Sequence, residues 1–452
     1  MTAEAAVQPS RRALTARSRR TSVVLVLWLV AGGNAVAILW LWLHGGGVSR
    51  VHSTGELLTS LGRATGLLGA YLALIQVLLL ARLPWLERLV GLDRLSVWHR
   101  WNGHATLDLI VAHTVLIVWG YALVDRLPLG REISAMLGGG VYPGMITATV
   151  GTGLLIAVVV SSVVIVKRRL RYETWYAVHL AAYAGIALGW FHQIPTGNEL
   201  VLDQVAADYW RGLYAATLAL LVGYRVLVPL ANGLRYQLRV ADVVSEGPGV
   251  VSMRITGRGL HRLEARAGQF FVWRFLSRGR WWTAHPFSLS AAPDGRSLRI
   301  TVKALGDHTA RLAAIRPGTR VLAEGPFGVF TGAARRRRKA LLVAGGIGIT
   351  PIRALLDELE GDVRVLYRVV SEDDVIFREE LAGRPVEVVT GDHATEEGAR
   401  LLSPEHLREL VPDLAERDVF VCGPPSMAQA IARNVRKAGV PRRHVHTERF
   451  AL

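Results

Sequence analysis

The chain has 452 residues, with 53 Lys and Arg against 36 Asp and Glu and a formal charge of +17. Hydrophobic residues make up 51% and charged residues 20%, which excludes a disordered chain and a wholly soluble one. The single cysteine, Cys422, excludes an intrachain disulfide, a four-cysteine zinc or iron–sulfur site and a CxxCH haem attachment, so any redox centre is organic or held by histidines.

Residues 1–20 form a basic arm with Arg11, Arg12, Arg17, Arg19 and Arg20. The apolar run Thr21–Leu43 is too long for a signal-peptide core and reads as a first transmembrane helix. Further runs near 57–80, 104–124, 145–166, 176–192 and 211–230 each approach the roughly 20 residues a bilayer core requires. Six helices put both ends of the chain on one side. The arm, Arg82, Arg88, Arg94, Arg100, Lys167–Arg171, Arg235 and Arg239 fall on one set of loops, which the positive-inside rule makes cytoplasmic. The basic excess is thus a topology label, and with no recognition motif beside it no nucleic-acid partner is expected.

Within the apolar half, His99 and His113 bracket the third helix and His179 and His192 the fifth. Facing imidazoles supply the axial ligands of b-type haem. Helices 3 and 5 run the same way, so His99 pairs with His179 near the cytoplasm and His113 with His192 near the outside. Fourteen residues at about 100° each bring His113 to within about 40° of His99, roughly 21 Å further on. Thirteen residues leave His192 about 140° from His179, which predicts a bulge, an underwound turn or an early helix end before Pro195. His104 and Asp108, four apart, are expected to pair. Arg63, about two turns from the outer end of helix 2, either snorkels or meets an anion such as a haem propionate or the outer acceptor.

After Tyr236 short alternating segments predict a small antiparallel β-barrel, and from Ala340 strands alternate with helices in a doubly wound α/β pattern. The expected divisions are an arm over 1–20, a six-helix membrane domain over 21–235, a barrel over 236–335 and an α/β domain over 336–452. The run Arg335–Lys339 at the junction reads as a solvated linker or a lipid-facing patch. In the barrel, Gly268-Gln269, His285-Pro286-Phe287-Ser288 with Ser290, and Gly325 with Phe327 and Gly328 combine aromatic rings, small hydroxyls and glycines suited to an isoalloxazine and a pyrophosphate. In the α/β domain, Gly345, Gly346 and Gly348 with Thr350 and Pro351 follow a strand and open a helix, as a phosphate site requires. Cys422, Gly423 and Pro424 follow another strand, and Cys422 is placed at the border of the nicotinamide. Arg368 suits a 2′-phosphate, favouring NADPH over NADH. Phe450 is placed over the flavin at its nicotinamide face.

These motifs, in this order over residues 20–452, resemble the ferric reductase/NADPH oxidase superfamily, a ferric-reductase-like transmembrane domain fused to a ferredoxin–NADP reductase-like module. The match rests on Leu92-Asp93-Arg94 ahead of His99, Arg168–Tyr176 ahead of His179, and the soluble motifs through Phe450. The resemblance implies two b-type haems on His99, His113, His179 and His192, FAD on the barrel and NADPH on the α/β domain. Arg63 resembles a family arginine near the outer haem. The chain departs from the family in having Ala451 and Leu452 after Phe450, and in placing Gly185 where an aromatic often lies between the haems, leaving Tyr183 or direct transfer.

The expected function is a transmembrane NAD(P)H-driven reductase, multi-pass in the cell membrane, with both termini and the flavin module cytoplasmic. Electrons pass from NADPH through FAD and the two haems to oxygen or a ferric chelate outside. The alternatives are an electron-transfer subunit serving an extracytoplasmic protein or quinone, and a membrane-anchored flavin reductase without haem.

Overall fold

The structure, a computed structural model, describes residues 11–449 apart from 139–141, 164–169, 171, 278–282, 305, 307–308, 310, 393–394, 396–397 and 399. Phe450 and most of the Lys167–Arg171 run lie outside the described residues. The chain divides into two compact units. One comprises Arg11–Leu83 and Arg94–Arg225; the other contains Pro84–Asp93 and the chain from Val226.

The helices are α1 (Arg11–Trp42), α2 (Thr54–Leu79), α3 (Pro84–Val90), α4 (Leu92–Val124), α5 (Leu129–Gly138), α6 (Met145–Ser162), α7 (Tyr172–Thr196), α8 (Asn198–Leu202), α9 (Gln204–Val222) and α10 (Val228–Tyr236). Residues 11–20 continue α1 instead of forming a separate arm, since Arg and Ala favour helix. Among the described residues, five segments are long and apolar enough to cross a membrane: Ser22–Gly47, Thr54–Leu79, Arg94–Val124, Met145–Ser162 and Gln204–Tyr236. The segment expected as the fifth span forms α7, 25 residues long, and is not among these five. Large side chains such as Leu29 and Leu218 are 64% and 60% exposed, as a lipid-facing surface requires.

Hydrocarbon provides no hydrophobic drive between helices, so small residues and polar links hold them. A Cβ on Gly55, Gly62 or Gly69 of α2 would press on Val124, Ile117 or Ile110 of α4. Gly151 of α6 and Gly185 of α7 cross so closely that a Cβ on either meets the other's carbonyl oxygen, at 2.7 and 3.0 Å. This explains why position 185 carries no aromatic ring. Trp210 Nε1 and Tyr214 Oη of α9 both donate to Gln193 Oε1 of α7, at 2.8 and 3.0 Å.

The second unit begins with two three-stranded antiparallel sheets. One has the order β1 (Arg239–Gly247), β2 (Val250–Thr256), β5 (Ser297–Lys303); the other β4 (His285–Ser288), β3 (Phe270–Phe275), β6 (Val321–Phe327). Single bridges Arg239↔Arg320 and Leu289↔Ile300 join them at both edges, around buried Met253, Ile255, Phe271, Trp273 and Ile300.

The α/β part is a five-stranded parallel sheet in the order β11 (Val445–Arg449), β10 (Asp418–Gly423), β7 (Ala340–Gly345), β8 (Val363–Val369), β9 (Val386–Thr390). Its helices are α11 (Ile349–Glu358), α12 (Arg378–Leu381), α13 (Pro404–Leu410) and α14 (Pro425–Lys437). Alternation along the central strands fills two cores: Leu342, Ala344 and Phe420 face one, Leu341, Val343 and Val421 the other. The strand order reverses between β7 and β10, the position where such sheets bind ligands.

The run Arg335–Lys339 is a bracket for this sheet, not a free linker. Arg335 donates to the carbonyls of Arg337 and Glu360, at 2.7 and 2.6 Å. Lys339 pairs with Asp413 and Glu416, at 3.0 and 2.6 Å. The amides of Arg336 and Arg337 donate to Asp418 Oδ2, at 2.7 and 2.6 Å.

Candidate functional site

The four helical histidines form two facing pairs. The His99 and His179 rings are 6.0 Å apart between centres, and those of His113 and His192 6.2 Å. A metal–imidazole bond of about 2 Å on each side, with about 1 Å more to each ring centre, puts two axial ligands about 6 Å apart. For three of the four rings the Nδ1 atom has a polar neighbour, while Nδ1 of His192 is buried without a hydrogen-bond partner among the described residues. Nδ1 of His99 lies 3.1 Å from the Gln76 carbonyl oxygen, and Nδ1 of His113 lies 2.8 Å from that of Gly62. A carbonyl only accepts, so Nδ1 carries the proton and Nε2 keeps the lone pair a metal takes. Nδ1 of His179 meets Ser162 Oγ at 3.3 Å, and the Trp175 ring stacks on that imidazole. The residues therefore fit a bis-imidazole haem at each pair. Among the described residues, no group of three or more His, Cys, Asp or Glu could hold a metal ion; a haem asks only two ligands of the protein.

The expected break in the fifth helix is absent. α7 is regular from Tyr172 to Thr196, with Pro195 inside it. The His113 and His192 rings nevertheless lie 6.2 Å apart between centres. His104 and Asp108 do not pair: both are exposed and no bond joins them among the described residues. Arg63 has a protein partner that the sequence did not reveal. It lies 3.3 Å from the carboxylate of Glu199, itself 3% exposed, on α8.

In the second unit, three motifs meet on one sheet. Phe270 of β3 lies opposite Ser288 of β4 on one side and Phe327 of β6 on the other. His285–Ser288 is itself a strand. Its Phe287 carbonyl accepts from Trp273 Nε1 at 3.0 Å, and the His285 and Phe287 rings stack. Gln269 is buried; its amide oxygen accepts from the Arg266 amide at 2.8 Å and its amide nitrogen reaches the Gly328 carbonyl at 3.5 Å. Gly268 has φ +80°, and a Cβ there would fall on the Phe330 carbonyl, so only glycine fits. Ser290 is fully buried, and its hydroxyl accepts from Thr301 at 2.8 Å. This places it behind the motif.

The glycine turns of β7 and β10 also come together. Gly423 lies against Gly345, and Gly348 against the Cys422 carbonyl. Gly346, at φ +51°, faces open space ahead of α11. The Thr350 hydroxyl turns back to the Ile347 carbonyl at 3.0 Å, and Pro351 lies in the first turn. Pro424 precedes α14. The Cys422 side chain stands in the core, and burial pushes its thiol well above the usual range; the sulfur is a neutral packing group. Arg368 Nη2 donates to the Gly391 and Gly398 carbonyls, at 3.0 and 2.9 Å, while Nη1 is buried without a partner among the described residues.

Residues 65–190 match the family described as ferric reductase like transmembrane component, 235–331 an FAD-binding domain, and 342–433 an oxidoreductase NAD-binding domain. The chain belongs to the ferric reductase/NADPH oxidase superfamily. Curated relatives match up to about half of the chain. Ferredoxin–NADP reductase B of Sorangium cellulosum is 30% identical over 187 residues, 36% of this chain and 77% of the relative. The NADH oxidoreductase HCR of Escherichia coli is 28% identical over 223 residues, 47% of this chain and 67% of the relative. Among solved structures, the FAD/NAD-binding domain of the Vibrio cholerae nitric oxide dioxygenase covers 48% of this chain and 99% of its own length, at 23% identity and TM-score 0.41. This member of the superfamily is an NAD(P)H-dependent oxidoreductase with a helical membrane part and a flavin–nicotinamide module.

Proposed function

We propose that the chain is a six-span transmembrane reductase that takes electrons from NADPH in the cytoplasm and delivers them to oxygen or a ferric chelate outside. The observation that carries this reading is the pair of imidazole couples, each with rings about 6 Å apart, at two depths of the helical unit. When bound, FAD supplies the change from a two-electron hydride to single electrons, and b-type haems at the two couples supply one-electron carriers through the apolar slab.

The chain's own residues bind and orient. His99 and His113 offer Nε2 lone pairs from tautomers fixed by backbone carbonyls, and His179 and His192 stand opposite them as the second ligand of each couple. Ser288 presents a hydroxyl beside Phe270 and Phe327 for a flavin edge. Gly268, Gly325, Gly328 and Gln269 shape the backbone for its phosphates. Gly345, Gly346 and Gly348 leave the α11 N-terminus open to a second pyrophosphate, with Gly423 and Pro424 opposite. Arg368 is assigned to the 2′-phosphate, and Phe450 to the nicotinamide face. Arg63, tied to Glu199, sits on the outer helix half near the acceptor. In this reading the basic loops lie in the cytoplasm together with both termini and the module, and the divisions at 235 and 335 separate membrane domain, barrel and α/β domain.

NADPH-driven turnover of the purified chain in detergent, with oxygen and ferric chelates offered separately, tests the reading. Reduction of either supports it. Flavin reduction that stops at the flavin, with both acceptors left untouched, contradicts it.

A further inference from the structure

Arg299 of β5 grips Glu380 of α12 with both ends of its guanidinium, Nη1 to Oε1 at 2.5 Å and Nη2 to Oε2 at 3.0 Å. The same Oε2 is bound by Arg353 Nε. Arg353 lies in α11, the helix that opens at Gly346–Gly348, and it also pairs with Asp357 one turn further on. Phe377, immediately before α12, holds its ring centre 5.0 Å from the Arg299 guanidinium carbon.

On its other side Arg299 holds the flavin motif. Nη2 donates to the Ser290 carbonyl at 2.7 Å and Nε to the Ser290 hydroxyl at 3.2 Å. The hydroxyls of Ser290, Thr301 and Ser252 continue inward as a buried chain, at 2.8 and 2.7 Å. One polar bridge thus starts directly behind the segment His285–Ser290 and ends on the helix of the nicotinamide turn.

An exposed ion pair contributes little. This one is partly buried, with Arg299 20%, Glu380 31% and Arg353 11% exposed. Its bidentate geometry fixes direction as well as distance. Arg299, Glu380 and Arg353 lie outside both motifs and reach the flavin side through Ser290, so their effect is through placement.

We propose that Arg299, Glu380 and Arg353 are positioning residues that set the flavin-side strand against the nicotinamide-side helix for hydride transfer. This rests on the reading of the module as an NAD(P)H-driven flavin reductase. The hydride leaves the nicotinamide with both electrons of its C–H bond and adds to the flavin, oxidising one and reducing the other. No further reactant is needed. A displacement of about 1 Å costs such a step about 100-fold.

The test is anaerobic stopped-flow reduction of the FAD-loaded full chain in detergent by NADPH and by 4-deuterated NADPH. Glu380→Gln keeps the shape and removes the charge; Arg299→Lys keeps the charge and removes the fork. The expected result is a limiting flavin-reduction rate at least 10-fold lower, a larger deuterium isotope effect, and an NADPH Kd and FAD content within about 2-fold of the parent. Glu380→Asp is expected to recover part of the rate. An unchanged limiting rate in both variants overturns the proposal, as does a loss that appears only as weaker NADPH binding or as shed FAD. If the parent chain itself leaves its flavin oxidised with NADPH and NADH, the function reading fails and the proposal with it.

Discussion

Gly66 leaves the space that His113 fills: a Cβ on this glycine would stand 2.5 Å from the imidazole Nδ1. One turn earlier, Gly62 supplies the carbonyl that this nitrogen binds at 2.8 Å. Helix α2 thus both admits the ring and fixes its tautomer. Gly66→Ala should gain helix propensity of up to about 1 kcal/mol yet push His113 off its partner His192. The expected outcome is loss of about half the haem, with the His99–His179 site intact, read by pyridine haemochrome against protein.

Arg368 is committed in part to the protein, through the Gly391 and Gly398 carbonyls. Its other terminal nitrogen, Nη1, has no partner among the described residues. Arg368→Ala should therefore raise KM for NADPH about 10-fold or more while KM for NADH moves about 2-fold, the loss of one charge-assisted phosphate contact. Equal losses for both cofactors in steady-state assays would leave Arg368 as a loop clamp only.

Arg417 is a fully buried cation. It binds Asp362 and Asp413, each at 2.7 Å, and donates to the Ala340 carbonyl at 3.1 Å. Both carboxylates keep some access to water, so the cost of Arg417→Met falls below that of breaking a fully buried pair, at roughly 2–4 kcal/mol. Thermal unfolding of the detergent-solubilised chain, followed by FAD fluorescence, should show the loss.

The same end of the sheet carries an acid-sensitive group. Burial raises the Asp418 carboxyl, but bonds from His446, the Arg336 amide, His444 and the Arg337 amide hold it down to about 2. Burial also lowers His444, against the pull of Asp418. A carboxylate depressed on folding stabilises above its unfolded pKa, near 4, and loses that stability as pH falls toward 2. A histidine depressed on folding acts in the same direction from its ordinary range downward. Stability of the module should therefore decline below about pH 6.5 and fall steeply between about 4 and 2. Asp418→Asn should flatten the lower limb of a Tm–pH curve.

The sequence made the two histidine pairs legible because an imidazole in an apolar helix is costly without a task. The four histidines, the glycine turns and the alternation of strands with helices all follow from local pattern. The partners do not. Gln76, Gly62 and Ser162 touch the histidines from other helices, through two backbone carbonyls and a common hydroxyl that carry no mark in sequence. Glu199 gains its place only from the fold, which sets it against Arg63. The offset of His192 was misread because helical-wheel angles ignore how far an imidazole reaches. Arg335–Lys339 was misread because charge alone does not say which carbonyls a guanidinium will find.

The central claim is that each imidazole couple holds one haem. The most direct measurement is the haem-to-protein ratio of the purified chain, with its reduced-minus-oxidised spectrum, for the parent and for His99→Ala and His113→Ala. The account predicts two b-type haems per chain in the parent and one in each variant. A parent without a b-type signal, or variants that keep the full content, would contradict it.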